Sequence, residues 1–199
     1  MKNDAGFGSW EGLRLFGTRI IPSSKLIKPG LTKILWGRAV TLDEMDIKIL
    51  RILQEDCTIP VAEMGKKIGL STTPCWRRIQ KLEEAGVIRR RVALLDAGKV
   101  RAGVNVFVSI VTNQHSLEWL ARFHKVLEDF PEVVEFYRMS GQIDYLIRVV
   151  VPDIAAYDAF YKRLITRIDL SKVSSAFAME QIKFTTALPL EFAKGTGGE

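Results

Sequence analysis

The stretch GLSTTPCWRRIQKLEEAGVI, residues 69–88, constrains the fold of this chain most, because it specifies a helix whose two ends are both marked. Ser71 is a favoured N-cap residue, and Gly86 can adopt the left-handed conformation that often ends a helix. At 100° per residue, apolar side chains recur on one side of this helix. The predicted buried face consists of Cys75, Ile79 and Leu82.

The opposite side of this helix carries groups that suit DNA. Arg and Gln side chains can bind a guanine or an adenine through two hydrogen bonds, and the free N–H groups at a helix start favour a phosphate. An exposed Trp often has a binding partner. The predicted DNA-binding residues are Ser71, Thr72, Thr73, Trp76, Arg77, Arg78, Gln80 and Lys81, with Arg89 and Arg90 after the helix. The alternative is a structural three-helix bundle with a solvated basic face.

Two further helices are predicted before this one. TLDEMDIKILRILQED has Thr41 as N-cap and Glu44 three residues later, the spacing of a capping box. IPVAEMGKKIGLS predicts a shorter helix that ends at Gly69. Two helices joined by a short turn with a glycine are typical of a helix-turn-helix DNA-binding unit. VIRRRVALLD, which follows at residues 87–96, predicts a strand or short hairpin that would form a wing.

The second half of the chain predicts a sheet covered by two helices. Its order is βαββαβ, the ferredoxin-like arrangement, so the fold class is α+β. One sheet face packs on the helices, and an apolar face left open favours association with a second copy. The four predicted strands are Val104–Thr112, Val133–Met139, Ile143–Val151 and Val173–Thr185.

These patterns divide the chain into five parts. Residues 1–39 carry seven Lys/Arg against two acidic residues and lack an apolar period. We therefore predict a disordered basic leader at 1–40, with a phosphate-binding arm as the alternative. The remaining parts are a winged helix-turn-helix domain at 41–92, a linker at 93–103, an effector-binding and dimerisation domain at 104–190, and a flexible tail at 191–199.

Composition excludes several other classes of protein. The net charge of +6 comes mostly from the leader, so it is weak support for a nucleic-acid partner. Two cysteines without a CxxC pattern and two histidines argue against a metal site, and we predict no cofactor. The sequence lacks a phosphate-binding loop and a nucleophile elbow, so an enzyme is disfavoured. Its apolar runs are too short to span a membrane, and we predict a cytoplasmic protein.

Several segments together resemble one family. GLSTTPCWRRIQKLEEAGVI, followed by VALLD and a βαββαβ module, is similar to the Lrp/AsnC (leucine-responsive/asparagine) regulators over residues 41–190. HSLEWLARF, PEVVEFYRMSGQIDYLIRV and SSAFAMEQIKFTTALP most resemble a branch associated with cysteine-responsive regulation. The resemblance implies a transcriptional regulator that binds double-stranded DNA and an amino acid effector. It also implies a homodimer that assembles further, often to an octamer.

The segment RMSGQIDYLIR contains the predicted effector site. Gly141 allows backbone N–H groups to approach a carboxylate, and an acidic side chain can accept from an ammonium. An ordinary hairpin turn explains the same residues. The resemblance favours a site, because family members bind an amino acid at a matching Ser-Gly-x-x-Asp turn. The predicted effector-binding residues are Met139, Ser140, Gly141, Gln142 and Asp144, and cysteine or a branched-chain amino acid is the expected effector.

The predicted function is therefore sequence-specific DNA binding that an amino-acid-like effector modulates. A global nucleoid-organising protein would use the same two domains with more DNA sites and larger oligomers. A stand-alone amino-acid-binding module explains the second half of the chain but leaves the basic helix without a role.

Overall fold

The computed structural model describes residues 40–193, which form a unit of three helices and an α+β unit joined by a linker. Apart from Val40, the predicted leader lies outside these residues, as does the end of the predicted tail, residues 194–199. The first unit contains α1 (Glu44–Glu55), α2 (Val61–Ile68) and α3 (Thr72–Glu84). The second contains, in chain order, β1 (Val104–Val111), α4 (Leu117–Glu128), β2 (Val133–Arg138), β3 (Tyr145–Val151), α5 (Ile154–Arg167) and β4 (Lys172–Phe177), and a 3-10 helix follows at Leu190–Ala193.

The three N-terminal helices pack around a small apolar core. Each helix contributes side chains that recur every three or four residues, so that one face of each is buried. The fully buried members are Ile49, Leu50, Met64, Cys75, Ile79 and Leu82. This confirms the predicted inner face of α3 and leaves its outer face for a partner.

Helix α1 begins differently from the prediction. Its N-cap is Asp43 rather than Thr41, and the capping box pairs Asp43 with Asp46. The Asp43 carboxylate accepts a hydrogen bond from the Asp46 backbone N–H at 2.8 Å, and the Asp46 carboxylate accepts from the Asp43 N–H at 3.3 Å. The prediction was wrong because two capping boxes overlap in TLDEMD, and a carboxylate at the N-cap also benefits from the helix dipole.

The turn between α2 and α3 depends on two glycines for different reasons. Gly69 ends α2 in the left-handed conformation with φ of 75°, which confirms the prediction. Gly65 instead allows a close approach, since a β-carbon there would lie 2.5 Å from the Leu70 carbonyl oxygen. The Leu70 N–H also donates to the Gly65 carbonyl at 2.9 Å. The angle between α2 and α3 therefore requires a residue without a side chain at position 65.

We expect Gly65→Ala to destabilise the helix-turn-helix unit by about 1–3 kcal/mol, because the backbone of Leu70 would have to move. Helix propensity alone predicts the opposite sign, a gain of roughly 0.5–1 kcal/mol for Ala over Gly. Urea unfolding followed by circular dichroism measures the sign. Gly103→Ala is the matched control, since a β-carbon there meets nothing within 4 Å. A more stable Gly65→Ala variant would contradict the close approach.

The predicted wing strand is not present. Residues 87–96 contain no strand, and Val87 and Ile88 pack against the core of the three helices instead. A strand needs a neighbour that accepts and donates its backbone hydrogen bonds, and within residues 40–193 the sheet is formed by β1 to β4 alone. Residues 89–96 are exposed and lead into a turn around Arg101, which lies inside the predicted linker at 93–103.

The second unit is a four-stranded antiparallel sheet in the order β2-β3-β1-β4. This order is that of a ferredoxin-like fold and confirms the predicted α+β class. Alternate residues of the two central strands point towards α4 and α5, where aromatic rings pack on them. The buried strand residues are Val106, Val108, Ile110, Tyr145, Ile147, Val149 and Val151.

Two details of this domain differ from the prediction. The helical spacing of the apolar residues from 154 to 168 predicts Ile154 and Ile165 in the core of α5, but both are exposed because the buried face follows Tyr157, Phe160 and Leu164. Strand β4 ends at Phe177 rather than near Thr185. Apolar residues continue after it, at Met179, Ile182 and Phe184, but residues 178–185 pair with no strand among the described residues.

The predicted flexible tail also begins with structure. The 3-10 helix at Leu190–Ala193 lies next to α1, and Leu190 packs against the helical core. Through this contact, the chain that follows the sheet domain packs against the three N-terminal helices.

Candidate DNA-binding and effector-binding sites

The outer face of α3 is open to solvent. Ser71, Thr72 and Thr73 at its start are exposed, as are Arg77 and Lys81, and Trp76 has 51% of its surface accessible. The first turn contains no acidic residue, and the Ser71 side chain does not cap the helix. The N–H groups and hydroxyls at this end therefore have capacity for an anionic partner.

Four basic side chains near this face have no partner in the described part of the chain. The side chains of Arg77 and Lys81 on α3 form neither a hydrogen bond nor an ion pair there, nor do those of Arg89 and Arg90 after it. All four side chains are exposed, so binding a phosphate or a base edge would not first require an internal ion pair to break. These are the properties that a DNA-contacting side chain needs.

Arg78 differs from the other predicted DNA-binding residues. Its guanidinium donates to Asp43 at 2.5 Å and to Asp46 at 2.8 Å, so it ties α3 to the start of α1. These bonds raise the pKa of Arg78, and the pKa of Asp43 is lowered by the Asp46 N–H and by Arg78. We therefore leave Arg78 out of the candidate DNA-binding surface. The missed signal was the pair of aspartates in the α1 capping box.

Gln80 is half-buried, and its amide donates to Glu83 at 3.1 Å. The same glutamate accepts from Arg91 at 2.9 Å, which holds the segment after α3 near the end of that helix. The main candidate residues remain those nearer the N-terminus of α3.

The predicted effector site is the turn between β2 and β3. The Met139 N–H donates to the Asp144 carbonyl at 2.8 Å and closes the turn. Ser140, Gly141 and Gln142 at its tip are exposed. Gly141 has φ of 125°, where side chains are rarely tolerated, although a β-carbon there would meet nothing within 4 Å. Backbone conformation, rather than space, explains the glycine.

Asp144 connects this turn to the end of β1. Its N–H donates to the Ile110 carbonyl at 3.0 Å, and its Oδ2 accepts from the Thr112 N–H at 2.8 Å. Thr112 is 3% exposed, and its hydroxyl accepts from the Gln114 N–H. The second carboxylate oxygen, Oδ1, has no partner among the described residues. Asp144 thus has a structural bond and one oxygen left for a ligand.

The turn also offers hydrogen-bond donors. The N–H groups of Ser140, Gly141 and Gln142, and the side chains of Ser140 and Gln142, are unpaired within residues 40–193. Donors and a carboxylate oxygen on one short turn match the carboxylate and ammonium of an amino acid. Sequence reasoning missed Thr112, because its proximity to Asp144 depends on how β1 and β3 pair.

Other kinds of site are not supported in the described part of the chain. Residues 40–193 hold no group of three His, Cys, Asp or Glu that could bind a metal ion. Over the same residues, the helices are too short or too polar to cross a membrane.

Comparison with known proteins agrees with the two units. Residues 42–83 match the AsnC-type helix-turn-helix domain, and residues 105–188 match the Lrp/AsnC ligand binding domain. The chain is 50% identical over 151 residues to the DNA-binding transcriptional activator DecR of Escherichia coli K12, covering 75% of this chain and 99% of DecR.

Two solved structures have the same fold. An AsnC family transcriptional regulator from Agrobacterium tumefaciens is 72% identical with a TM-score of 0.74, and the match covers 76% of this chain and 99% of that one. The regulator NMB0573 from Neisseria meningitidis, solved in complex with L-Met, is 33% identical with a TM-score of 0.73 and the same coverage. With both domain models matched, this chain belongs to the Lrp/AsnC family of DNA-binding transcriptional regulators.

Proposed function

We propose that this regulator binds double-stranded DNA through the exposed face of α3 and that an amino acid bound at the β2–β3 turn modulates this binding. The main support for the DNA interface is a group of residues on and just before α3 whose side chains are exposed and make no hydrogen bond or ion pair within residues 40–193. It comprises Ser71, Thr72, Thr73, Trp76, Arg77 and Lys81. Thr73, Arg77 and Lys81 lie four residues apart on one face, so all three would point into the same major groove.

A homodimer would place two such helices on one DNA molecule. The open face of the sheet supports this assembly, because its central strands expose apolar side chains between polar ones. Phe107 of β1 is 39% exposed on this face, and Leu146 and Val150 of β3 are half-buried there. A two-fold pair would set the recognition helices about 34 Å apart, one turn of DNA.

Polar groups on this face already have partners within one protomer. Arg148 donates to Glu135 at 2.9 and 2.6 Å and to Asn105 at 2.8 Å, and Tyr137 donates to Glu135 at 3.0 Å. The bond from Arg148 is the main cause of a lowered pKa of Glu135. Because both oxygens of Glu135 are satisfied, covering the cluster would not leave a charge unpaired.

We expect Phe107→Asp to shift the protein towards the monomer, because a new charge would be buried without a partner. Light scattering at micromolar concentration measures the mass, and circular dichroism checks that the sheet is retained. Leu117→Asp is the matched control, since Leu117 is 71% exposed on α4, on the helix-covered side. A monomeric wild-type chain would contradict the dimer itself.

The proposed effector is a free amino acid. Met139 is 39% exposed beside the turn and could contact the effector side chain. The L-Met complex of NMB0573 supports this chemical class, while cysteine and branched-chain amino acids remain the specific candidates. Further assembly of dimers to an octamer and a cytoplasmic location belong to the same proposal.

A selection experiment tests the function as a whole. Duplexes are selected from a random pool by the wild-type protein, and their affinity is then measured with each of the twenty amino acids. Thermal shift with the same amino acids detects binding directly, because a ligand of the folded state raises the melting temperature. Enriched palindromic sites and an amino acid that changes their affinity are the expected results. A pool without enrichment would overturn the proposal.

A further inference from the structure

Gln54, near the end of α1, binds the backbone of a distant residue with both ends of its amide. Its Nε2 donates to the Leu188 carbonyl at 3.2 Å, and its Oε1 accepts from the Leu188 N–H at 2.7 Å. A neighbouring strand would satisfy a backbone in the same way, so the contact recognises extended chain rather than a particular side chain.

Two further contacts flank this one. Leu190 packs against the apolar core of the three helices and lines the same cleft as Leu50 and Leu53. Arg51 forms an ion pair with Glu191 at 3.2 Å, but both side chains are exposed and the pair contributes little. The Gln54 amide and Leu190 therefore set the register. We name residues 186–191 the docked segment.

The docked segment reaches α1 through residues 179–185, which we name the connector. The connector pairs with none of the strands β1 to β4. The Ala178 N–H donates to the Asn105 carbonyl, just past the end of β4. Beyond it, Met179, Ile182 and Phe184 are exposed. The connector is therefore held mainly at its two ends, by the sheet and by α1.

We propose that the outer face of α1 is a docking surface for the docked segment of the same chain, and that this docking fixes the orientation of the helix-turn-helix unit relative to the effector domain. The DNA consequence rests on the function proposed above. A dimer with both units fixed must match one spacing of half-sites. A dimer whose docked segments are released must tolerate several spacings.

The reaction rate of the Cys57 thiol can be used to measure docking. It lies in a cleft of about 640 Å³ whose lining includes Thr186, Leu188 and Leu190. The chain has two cysteines, and the other, Cys75, is fully buried with the pKa of its thiol raised by burial. The rate of reaction with 5,5′-dithiobis(2-nitrobenzoate) in the native protein therefore reports on Cys57.

We expect Gln54→Leu to increase this rate about tenfold, because two backbone hydrogen bonds of the docked segment are lost. A chain shortened to end at Ala187 should show the same increase. Gln114→Leu is the control, since Gln114 is exposed and its side chain has no partner among the described residues. Circular dichroism verifies folding. Unchanged rates in both the Gln54→Leu and the shortened chain would overturn the docking.

A mixing experiment distinguishes docking within one chain from docking onto a second copy. Gln54→Leu chains and shortened chains are unfolded together and refolded as a mixture. If docking occurs within a chain, every Cys57 reacts fast, because no chain has both halves of the contact. A slow fraction would show that the tail of one copy docks on the other, and would overturn the proposal as stated.

The DNA readout uses a duplex selected by the wild-type protein, with five base pairs inserted between its half-sites. Wild type should lose about tenfold or more in affinity, because half a turn moves one site to the opposite side of the duplex. Gln54→Leu should lose less than about threefold. Equal losses would overturn the role in orientation. If wild type selects no duplex, the proposed function fails while the thiol result still decides the docking.

Discussion

Arg77→Ala should weaken binding to a selected operator by about 1–3 kcal/mol, roughly 5- to 150-fold, if its guanidinium contacts a guanine. The guanidinium is exposed and has no partner within residues 40–193, so the substitution removes only what Arg77 does with DNA. We therefore expect the free energy of unfolding to stay within about 0.5 kcal/mol of wild type. Fluorescence anisotropy with a labelled duplex measures the affinity, and urea unfolding measures the stability.

The neighbouring Arg78→Ala is the matched control, with the opposite pattern. Arg78 bonds Asp43 and Asp46 across two helices, so its loss leaves two carboxylates without their cation. The pair is partly exposed, which limits the loss of stability to about 1 kcal/mol. Operator affinity should change less than for Arg77→Ala. If Arg78→Ala weakens binding more than Arg77→Ala without loss of stability, the assignment of the two arginines is reversed.

A salt titration separates base contacts from phosphate contacts. Lys81→Ala should reduce the slope of log affinity against log salt concentration by about one if Lys81 contacts a phosphate. Arg77→Ala should reduce affinity on the selected duplex more than on a scrambled one. Equal losses on both duplexes would place Arg77 at the backbone instead of a base.

The buried face of α3 was predictable because the spacing of apolar residues along this one helix determines which side chains are buried. Cys75, Ile79 and Leu82 follow the helical repeat, and the structure buries all three. The role of Arg78 was not predictable in the same way. Its partners lie more than thirty residues away in α1, and helical spacing describes one helix at a time. The exposure of Arg77 and the pairing of Arg78 depend on how α1 and α3 pack.

The end of β4 shows a second limit. Apolar and β-branched residues continue after Phe177, which favours a longer strand, but a strand also needs a neighbour, and composition does not show where pairing stops. Met179 and Ile182 are 95% and 90% exposed, so they lie outside the core of the sheet, although the predicted strand included them. The same argument applies to residues 87–96, where the predicted wing has no strand partner within residues 40–193.

The β2–β3 turn was located from Gly141 and Asp144, since a positive φ and a carboxylate are local properties. The bond from Thr112 to Asp144 was not foreseen, because it joins residues 32 positions apart. It also changes the design of the decisive experiment. Asp144→Ala would leave the Thr112 N–H unsatisfied in a partly buried position, at a cost of about 1–3 kcal/mol in stability.

Asp144→Asn should instead separate ligand binding from folding. The asparagine Oδ1 can still accept from Thr112, while the negative charge that would bind the effector ammonium is removed. A charged hydrogen bond contributes about 1.5–3 kcal/mol, so effector affinity should fall roughly 10- to 150-fold. Binding to DNA without effector should remain close to wild type. Titration calorimetry with the amino acid that gives the largest thermal shift in wild type measures the change.

Asp169→Asn is the control, since Asp169 is exposed in the same domain and makes no hydrogen bond within the described residues. It removes the same charge from the domain without touching the turn. If Asp144→Asn and Asp169→Asn bind the effector equally well, the ammonium is held elsewhere, and Asp144 serves only to join the turn to β1. If Asp144→Asn alone loses the effector while its operator affinity is unchanged, the unpaired oxygen of Asp144 is the ligand for the ammonium.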